Sequence, residues 1–240
     1  ADLSEWTGTA VSLALLCRDS SGQLARQDIR VTVESPARLA IVSEVPGPIV
    51  DADATRLLFM ESQATGDRLA IYDRATSLTE DIPVPSGMGV SPYYGSSFLT
   101  PSGAVFLATT EGEYPTTRLY VWRQGALTEI AQSPGSLNVS DNYATWSWGE
   151  YYPDVNLYRI NTATGVTTLV TPDAEAAGNS VAADGTVAFS TRSTHQIVRD
   201  RDGLQTALTN DPSHWHTEPL IDGDQVVYLR IDPSGVDKPY

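Results

Sequence analysis

The stretch NSVAADGTVAFSTR, residues 179–192, decides the fold because it contains two β-strand signals joined by a tight turn. The turn pair is Asp184 and Gly185, and glycine at this position readily supplies the positive φ that a hairpin turn requires. The next stretch, QIVRDRDGLQTALTN, residues 196–210, has the same strand–turn–strand pattern around another Asp-Gly pair. Together they predict four short antiparallel strands, labelled a, b, c and d in chain order.

The four-strand pattern recurs along the chain. An aromatic residue marks strand b of each copy, and successive aromatic residues lie 39 to 47 positions apart. These aromatic anchors are Phe59, Phe106, Trp146, Phe189 and Tyr228. A four-stranded repeat of about 40 residues is typical of a propeller blade, whose sheet buries both faces only by stacking on its neighbours. The sequence therefore predicts an all-β protein, a β-propeller of about five four-stranded antiparallel blades, in a complete or an incomplete ring.

The same stretches resemble the repeats of TolB-like propellers and, more generally, WD-repeat-like propeller blades. In the TolB-like repeat, a Pro-x-Trp-Ser-Pro-Asp-Gly stretch leads into an Ile-Ala-Phe-Ser-Ser strand. This sequence keeps Asp184, Gly185 and the following Val-Ala-Phe-Ser-Thr, but it lacks the tryptophan and both prolines. The resemblance covers roughly residues 45–231. It implies a fold and not a function, because such propellers include scaffolds, binding proteins and enzyme domains.

The two ends of the chain depart from the repeat. Residues 1–45 contain three other strand-like runs, AVSLALLCRD, DIRVTVES and ARLAIVS. We expect these N-terminal strands either to close the last blade or to form a separate sandwich-like piece. Residues 46–240 contain the propeller repeats, and the last repeat is expected to stop after strand b.

Composition excludes several classes of partner. Thirty acidic and 15 basic side chains give a net charge of −15, which repels nucleic-acid phosphates, so we expect no nucleic-acid partner. No apolar stretch approaches the roughly 20 residues of a membrane-spanning helix.

The single cysteine, Cys17, allows no internal disulfide and is expected to be a buried structural thiol. The start at Ala1 and the Asn-Val-Ser sequon at Asn138 favour an extracellular or periplasmic protein.

The loops predict one chemically rich face. Because successive strands are antiparallel, the b–c and d–a loops emerge on the same face of a propeller, and here they are long and rich in aromatic residues. The candidate ligand-binding residues are Tyr93, Tyr94, Tyr114, Trp148, Tyr151, Tyr152 and Trp215. Exposed aromatic residues with acidic neighbours suit sugar rings, and they equally suit a protein partner. The alternative is that these loops fold back and their tyrosines cover the blades.

A second hypothesis concerns a divalent metal. In an extended strand His214, His216 and Glu218 point to the same side, and two imidazoles with one carboxylate can bind Zn²⁺, Mn²⁺ or Fe²⁺. His195 on the neighbouring blade would then act as an acid or base. The plainer interpretation is that both histidines form hydrogen bonds within a loop and that Trp215 packs between blades. We favour the plainer interpretation and predict no cofactor.

The sequence thus predicts a non-catalytic binding or scaffold propeller that recognises a glycan or an extracellular protein through its aromatic face. Two alternatives stay open. One is a metal-dependent polysaccharide lyase or hydrolase that uses the channel mouth around His214 and His216. The other is a structural unit of a larger extracellular assembly.

Overall fold

The structure is a computed structural model. It describes residues 10–18, 24–32, 45, 47–63, 66–90, 96–148, 155–232 and 236–239. The regular secondary structure of these residues consists of β-strands. They contain no helix that is long and apolar enough to cross a membrane. The chain divides into two units, residues 1–44 and 45–240.

The N-terminal unit contains one described hairpin. Strand β1 (Ala10–Arg18) pairs antiparallel with β2 (Leu24–Thr32), in a register that aligns Ala10 with Thr32. These strands correspond to the first two strand-like runs of the sequence. The third run, ARLAIVS, lies outside the described residues.

The described part of the second unit forms five antiparallel sheets. The first sheet comprises β3 (Ile49–Ala52), β4 (Arg56–Gln63), β5 (Gly66–Asp73) and β6 (Leu78–Ile82). The second comprises β7 (Met88–Val90), β8 (Ser97–Thr100), β9 (Gly103–Thr110), β10 (Thr117–Arg123) and β11 (Ala126–Gln132). The third comprises β12 (Leu137–Ser140), β13 (Tyr143–Trp148), β14 (Asn156–Asn161) and β15 (Val166–Thr171). The fourth comprises β16 (Ala174–Val181), β17 (Val187–Thr191), β18 (Ile197–Arg201) and β19 (Leu204–Ala207), and the fifth β20 (Trp215–Asp222), β21 (Gln225–Asp232) and β22 (Val236–Pro239).

The predicted four-strand unit is confirmed in the first, third and fourth sheets, where the strands are ordered as in the chain. In the second sheet, β7 and β8 pair with opposite ends of β9, so two short strands stand where one first strand was expected. The fifth sheet corrects the expectation that the last repeat stops after strand b. Its third strand, β22, pairs with β21 from Asp232↔Val236 to Leu229↔Pro239.

The turn at Asp184 and Gly185 forms as its sequence predicts. The Gly185 amide donates to the Ala182 carbonyl at 2.9 Å, and the Thr186 amide donates to Asp184 Oδ1 at 2.9 Å. Gly185 has a φ of +83°, and a Cβ at this position would lie 2.7 Å from the Tyr143 ring. Both the backbone conformation and the neighbouring ring therefore require glycine.

Apolar cores lie between neighbouring sheets, as expected of sheets that pack face to face. The aromatic anchors of the second, third and fourth sheets each pack against the sheet before them. These interfaces include Phe106 with Leu58, Trp146 with Val105, and Phe189 with Leu157. The aromatic spacing in the sequence is therefore the spacing of the sheet interfaces.

The residue before each aromatic anchor points to the opposite face of its sheet, so its burial shows whether that face is covered. Four of these residues are completely buried, namely Leu58, Val105, Thr145 and Ala188. The fifth, Val227, is 60% exposed. Leu220, which pairs with Val227 in the register of β20 and β21, is 67% exposed. The fifth sheet therefore has one apolar face that is open to solvent.

A polar network links the third and fourth sheets. The Oδ1 atom of Asn179 accepts hydrogen bonds from Asn138 Nδ2 at 3.0 Å and from Thr145 Oγ1 at 2.8 Å. The Nδ2 atom of Asn179 donates to Ser136 Oγ at 2.8 Å. The asparagine of the predicted sequon is therefore a structural hydrogen-bond donor between two sheets.

Candidate ligand-binding face

The b–c and d–a connections of the third, fourth and fifth sheets lie at the same end of the stacked sheets. Strands alternate in direction within each sheet, and the first strands of neighbouring sheets contact each other, as β12 with β16 and β16 with β20 do. The ends of β11 and β13 and the starts of β16 and β20 therefore share one face. We call this the loop face.

The structure describes three of the seven aromatic residues predicted to bind a ligand. Tyr114, between β9 and β10, is 84% exposed, and Trp148, at the end of β13, is 40% exposed. Trp215, the first residue of β20, is 48% exposed. All three lie on the loop face. The other four, Tyr93, Tyr94, Tyr151 and Tyr152, lie outside the described residues.

Trp148 borders a groove between the second and third sheets. The groove has a volume of about 380 Å³. Its lining residues are Ile130, Ala131, Gln132, Trp146, Trp148, Tyr158 and Thr167. The partly exposed Tyr158 ring stacks on the buried Trp146 ring, with centroids 5.5 Å apart and an interplanar angle of 16°, so Tyr158 is held in place as an aromatic wall of the groove. Gln132 and Thr167 add polar groups at its sides.

A second cluster lies where the fourth sheet meets the fifth. His195, in the turn between β17 and β18, places Nδ1 2.7 Å from Glu175 Oε1. Thr217 Oγ1 donates to the other carboxylate oxygen, Oε2, at 3.0 Å. The Trp215 ring lies over the His195 ring, with centroids 4.7 Å apart. A carboxylate, an imidazole and a half-exposed indole are thus held together on the loop face.

His214 is occupied by neighbouring side chains at both ring nitrogens. Its Nδ1 lies 2.7 Å from Asp211 Oδ2, and Arg230 Nη2 lies 2.9 Å from its Nε2. Hydrogen bonds from the Ser213 hydroxyl and from His214 lower the pKa of Asp211 from 3.8 to about 2. Asp211 is therefore a stable anion that orients the turn before β20.

The predicted metal cluster of His214, His216 and Glu218 does not form. A bulge between Thr217 and Leu220 breaks the alternation of β20. As a result His216 is buried, while Glu218 is exposed and has a φ of +51°. Among the described residues, no group of three or more His, Cys, Asp or Glu side chains is arranged to hold a metal ion. The hydrolase or lyase alternative therefore lacks the ligand set on which it was based.

His216 is a structural residue. Its side chain is 3% exposed, its ring contacts the Tyr228 ring edge to face at 5.4 Å, and its Nδ1 has no hydrogen-bond partner among the described residues. Burial lowers the pKa of His216 from 6.5 because the imidazolium would lose its hydration. The backbone amide of His216 donates to the His195 carbonyl at 2.8 Å and so connects the fifth sheet to the turn that carries His195.

Replacement of His216 by phenylalanine is expected to reduce the loss of stability in mild acid. In the wild type, His216 has a lower pKa in the folded chain than in the unfolded chain. As the pH falls below 6.5, the unfolded chain therefore binds a proton at His216 more readily, and unfolding is favoured. The stability that neutral His216 contributes is thus complete above that pH and lost below it. Between pH 7 and pH 5 the melting temperature of the wild type should fall further than that of the variant. Parallel melting curves would contradict a buried neutral His216.

The opposite face of the stack contains a cavity that the sequence did not indicate. It has a volume of about 450 Å³ between the first and second sheets, and its lining includes Arg56, Asp73 and Trp122. Two of its three charged residues, Arg56 and Asp73, are already used in the fold. Arg56 bonds to Asp53 and to the Thr100 carbonyl, and Asp73 accepts two backbone amides of its own turn. We therefore place the candidate site on the loop face.

The fold and the loop face define the class as a β-propeller of stacked antiparallel sheets, and solved structures show the same fold. The likeness to dipeptidyl peptidase 4 from Porphyromonas gingivalis has a TM-score of 0.56 at 9% identity, over 96% of this chain and 43% of that one. A putative TolB from Agrobacterium tumefaciens gives 0.43 at 18% identity, over 81% and 79% of the two chains. The β-propeller domain of the Trilobed protease from Pyrococcus furiosus gives 0.41 at 11% identity, over 97% and 89%.

The propeller fold expected from the sequence is thus confirmed by the likeness to dipeptidyl peptidase 4. Identities this low concern the fold alone. No protein-family model matches the chain, and no curated protein gives a significant match. The function has to be inferred from the loop face itself.

Proposed function

We propose that this chain is a non-catalytic binding propeller and that the groove beside Trp148 binds a carbohydrate. The observation that carries the proposal is a half-exposed indole beside a groove whose wall is the Trp146–Tyr158 stack. Sugar rings present apolar C–H faces to aromatic side chains, and their hydroxyls need hydrogen-bonding groups such as Gln132 and Thr167. The volume of about 380 Å³ lies within the range of about 300–1,000 Å³ usual for small-ligand sites.

A protein ligand is the other class of partner expected from the sequence. We favour a carbohydrate because the aromatic side chains line a groove, whereas an interface anchor such as a lone exposed tyrosine would project from the surface. An extracellular or periplasmic location, where free glycans are found, is part of the same proposal.

The Trp148→Ala variant tests the groove. Loss of the indole is expected to weaken binding of the sugar that the wild type binds by about tenfold, which equals about 1.4 kcal/mol. The measurement is isothermal titration calorimetry against the disaccharides and hexasaccharides of β-1,4-glucan, chitin and xylan. Leu204→Ala, which truncates an exposed side chain on β19, is the matched control and should bind like the wild type.

Wild-type affinity in Trp148→Ala would contradict the groove assignment. Absence of any bound sugar in all three series would contradict the carbohydrate class and would favour a protein partner. A second candidate function, a structural unit of a larger assembly, is favoured by the open apolar face of the fifth sheet at Leu220 and Val227. That candidate also predicts no bound sugar.

A further inference from the structure

The cluster at the junction of the fourth and fifth sheets has an unused hydrogen-bonding atom. A carboxylate can only accept, so Nδ1 of His195 carries the hydrogen that bonds to Glu175. Nε2 of His195 is then an acceptor, and none of the described residues forms a hydrogen bond to it. The His195 side chain is 31% exposed.

The orientation of His195 is fixed before any ligand binds. Glu175 cannot swing away freely, because Thr217 holds its second oxygen. The His195 backbone has a φ of +52°, and hydrogen bonds of 2.8 Å hold both its amide, to Thr191, and its carbonyl, from His216. A non-glycine residue in this conformation is retained only where its surroundings determine it.

Gln196 strengthens the same turn. Its side-chain amide donates to the Thr194 and Asp211 carbonyls at 3.1 and 3.0 Å, and its oxygen accepts the Asp211 amide at 3.0 Å. The turn after β17 is therefore joined to the segment that precedes β20. Trp215, the first residue of β20, is positioned beside His195 by this connection.

We propose that Trp215, His195 and Glu175 form a second carbohydrate subsite, so that the ligand of the loop face is a polysaccharide chain and not a single sugar. The indole of Trp215 takes the apolar face of a sugar ring, and Nε2 of His195 accepts a hydroxyl hydrogen. Glu175 is a positioning residue that sets the tautomer of His195. This inference depends on the proposed function, because it assigns a second unit of the same ligand.

The placement of the two sites sets the length of the ligand. The groove at Trp148 lies between the second and third sheets, and the subsite at Trp215 lies between the fourth and fifth. The interface of the third and fourth sheets separates them on one face. A ligand that contacts both must therefore be a chain of several sugars, whose two contacts strengthen each other through effective concentration.

The test compares short and long probes on the wild type, Trp148→Ala and Trp215→Ala. The probes are the disaccharide and the hexasaccharide of the series that the wild type binds. We expect the wild type to bind the hexasaccharide about tenfold more tightly than the disaccharide. Trp215→Ala should lose that gain and keep the disaccharide affinity. His195→Asn should behave alike, because asparagine tolerates the same backbone conformation but is too short to present an acceptor at the position of Nε2.

Each outcome assigns the failure to one proposal. Equal affinity of the wild type for the two probes, or an unchanged hexasaccharide affinity in both Trp215→Ala and His195→Asn, overturns the second subsite. The groove at Trp148 stands in that case if Trp148→Ala weakens both probes. An unchanged affinity in Trp148→Ala, or no binding by any probe, overturns the proposed function and the second subsite with it.

Discussion

Replacement of Phe189 by alanine is expected to lower the free energy of unfolding by about 3–5 kcal/mol, the range for deletion of a buried phenyl ring. Phe189 is completely buried and packs with Leu157 and Val170 of the third sheet and with Val181 and Val187 of its own sheet. The ring therefore fills the interface between two sheets. Its removal leaves a cavity that strands fixed by hydrogen bonds on both sides cannot collapse to fill.

Urea unfolding followed by tryptophan fluorescence measures this loss. Phe189→Leu should be less destabilising, because leucine refills part of the space. Leu204→Ala removes a side chain that is mostly exposed on β19 and should change the free energy of unfolding by less than about 0.5 kcal/mol. If Phe189→Ala were no more destabilising than Leu204→Ala, the sheets would not be packed through their aromatic anchors.

The repeat is recognisable in the sequence for a local physical reason. The turns in the two stretches that define the repeat use glycine at a positive φ, since Gly185 and Gly203 both have a φ of +83°. The first three sheet interfaces each contain a large ring from the following sheet, so aromatic residues recur at the blade spacing. Both signals lie within a few residues of each other, and they identify the strands without any knowledge of long-range contacts.

The parts of the fold that the sequence did not predict depend on distant pairing. Strand β7, Met88–Val90, is too short to show an alternating pattern, and it exists because β9 offers unpaired backbone groups between Ala108 and Thr110. Strand β22 likewise depends on pairing with β21. A stretch of three or four residues has no recognisable period of its own.

The candidate site was likewise predictable from the sequence only in part. Trp148 and Trp215 could be placed on the loop face because their positions follow from strand order. Their partners could not, since Tyr158 and Glu175 come from other strands or sheets. The alternation on which the metal hypothesis was based is interrupted by the bulge after Thr217, because one extra residue in a strand sends the next side chains to the opposite face.

Replacement of Asn179 by alanine is expected to lower the free energy of unfolding by about 2–4 kcal/mol, although it removes almost no apolar contact. The side chain of Asn179 is buried and forms three hydrogen bonds, to Asn138, Thr145 and Ser136 of the preceding sheet and its approach. The variant removes the acceptor of Asn138 and Thr145, while the Ser136 hydroxyl keeps its contact with the Ser147 hydroxyl. A buried polar group without a partner costs about 1–3 kcal/mol.

Two further variants separate the network from simple loss of volume. Thr145→Val deletes one donor and keeps the shape of the side chain, so it should cost less than Asn179→Ala. Thr206→Ala, on the exposed strand β19, should be nearly neutral. Differential scanning calorimetry of the four proteins orders them directly. If Asn179→Ala were as stable as Thr206→Ala, water would replace the missing side chain, and Asn138 would be free to serve as a sequon asparagine. The expected loss instead assigns Asn138 to the joint between the third and fourth sheets, which removes the sequon as an argument for export.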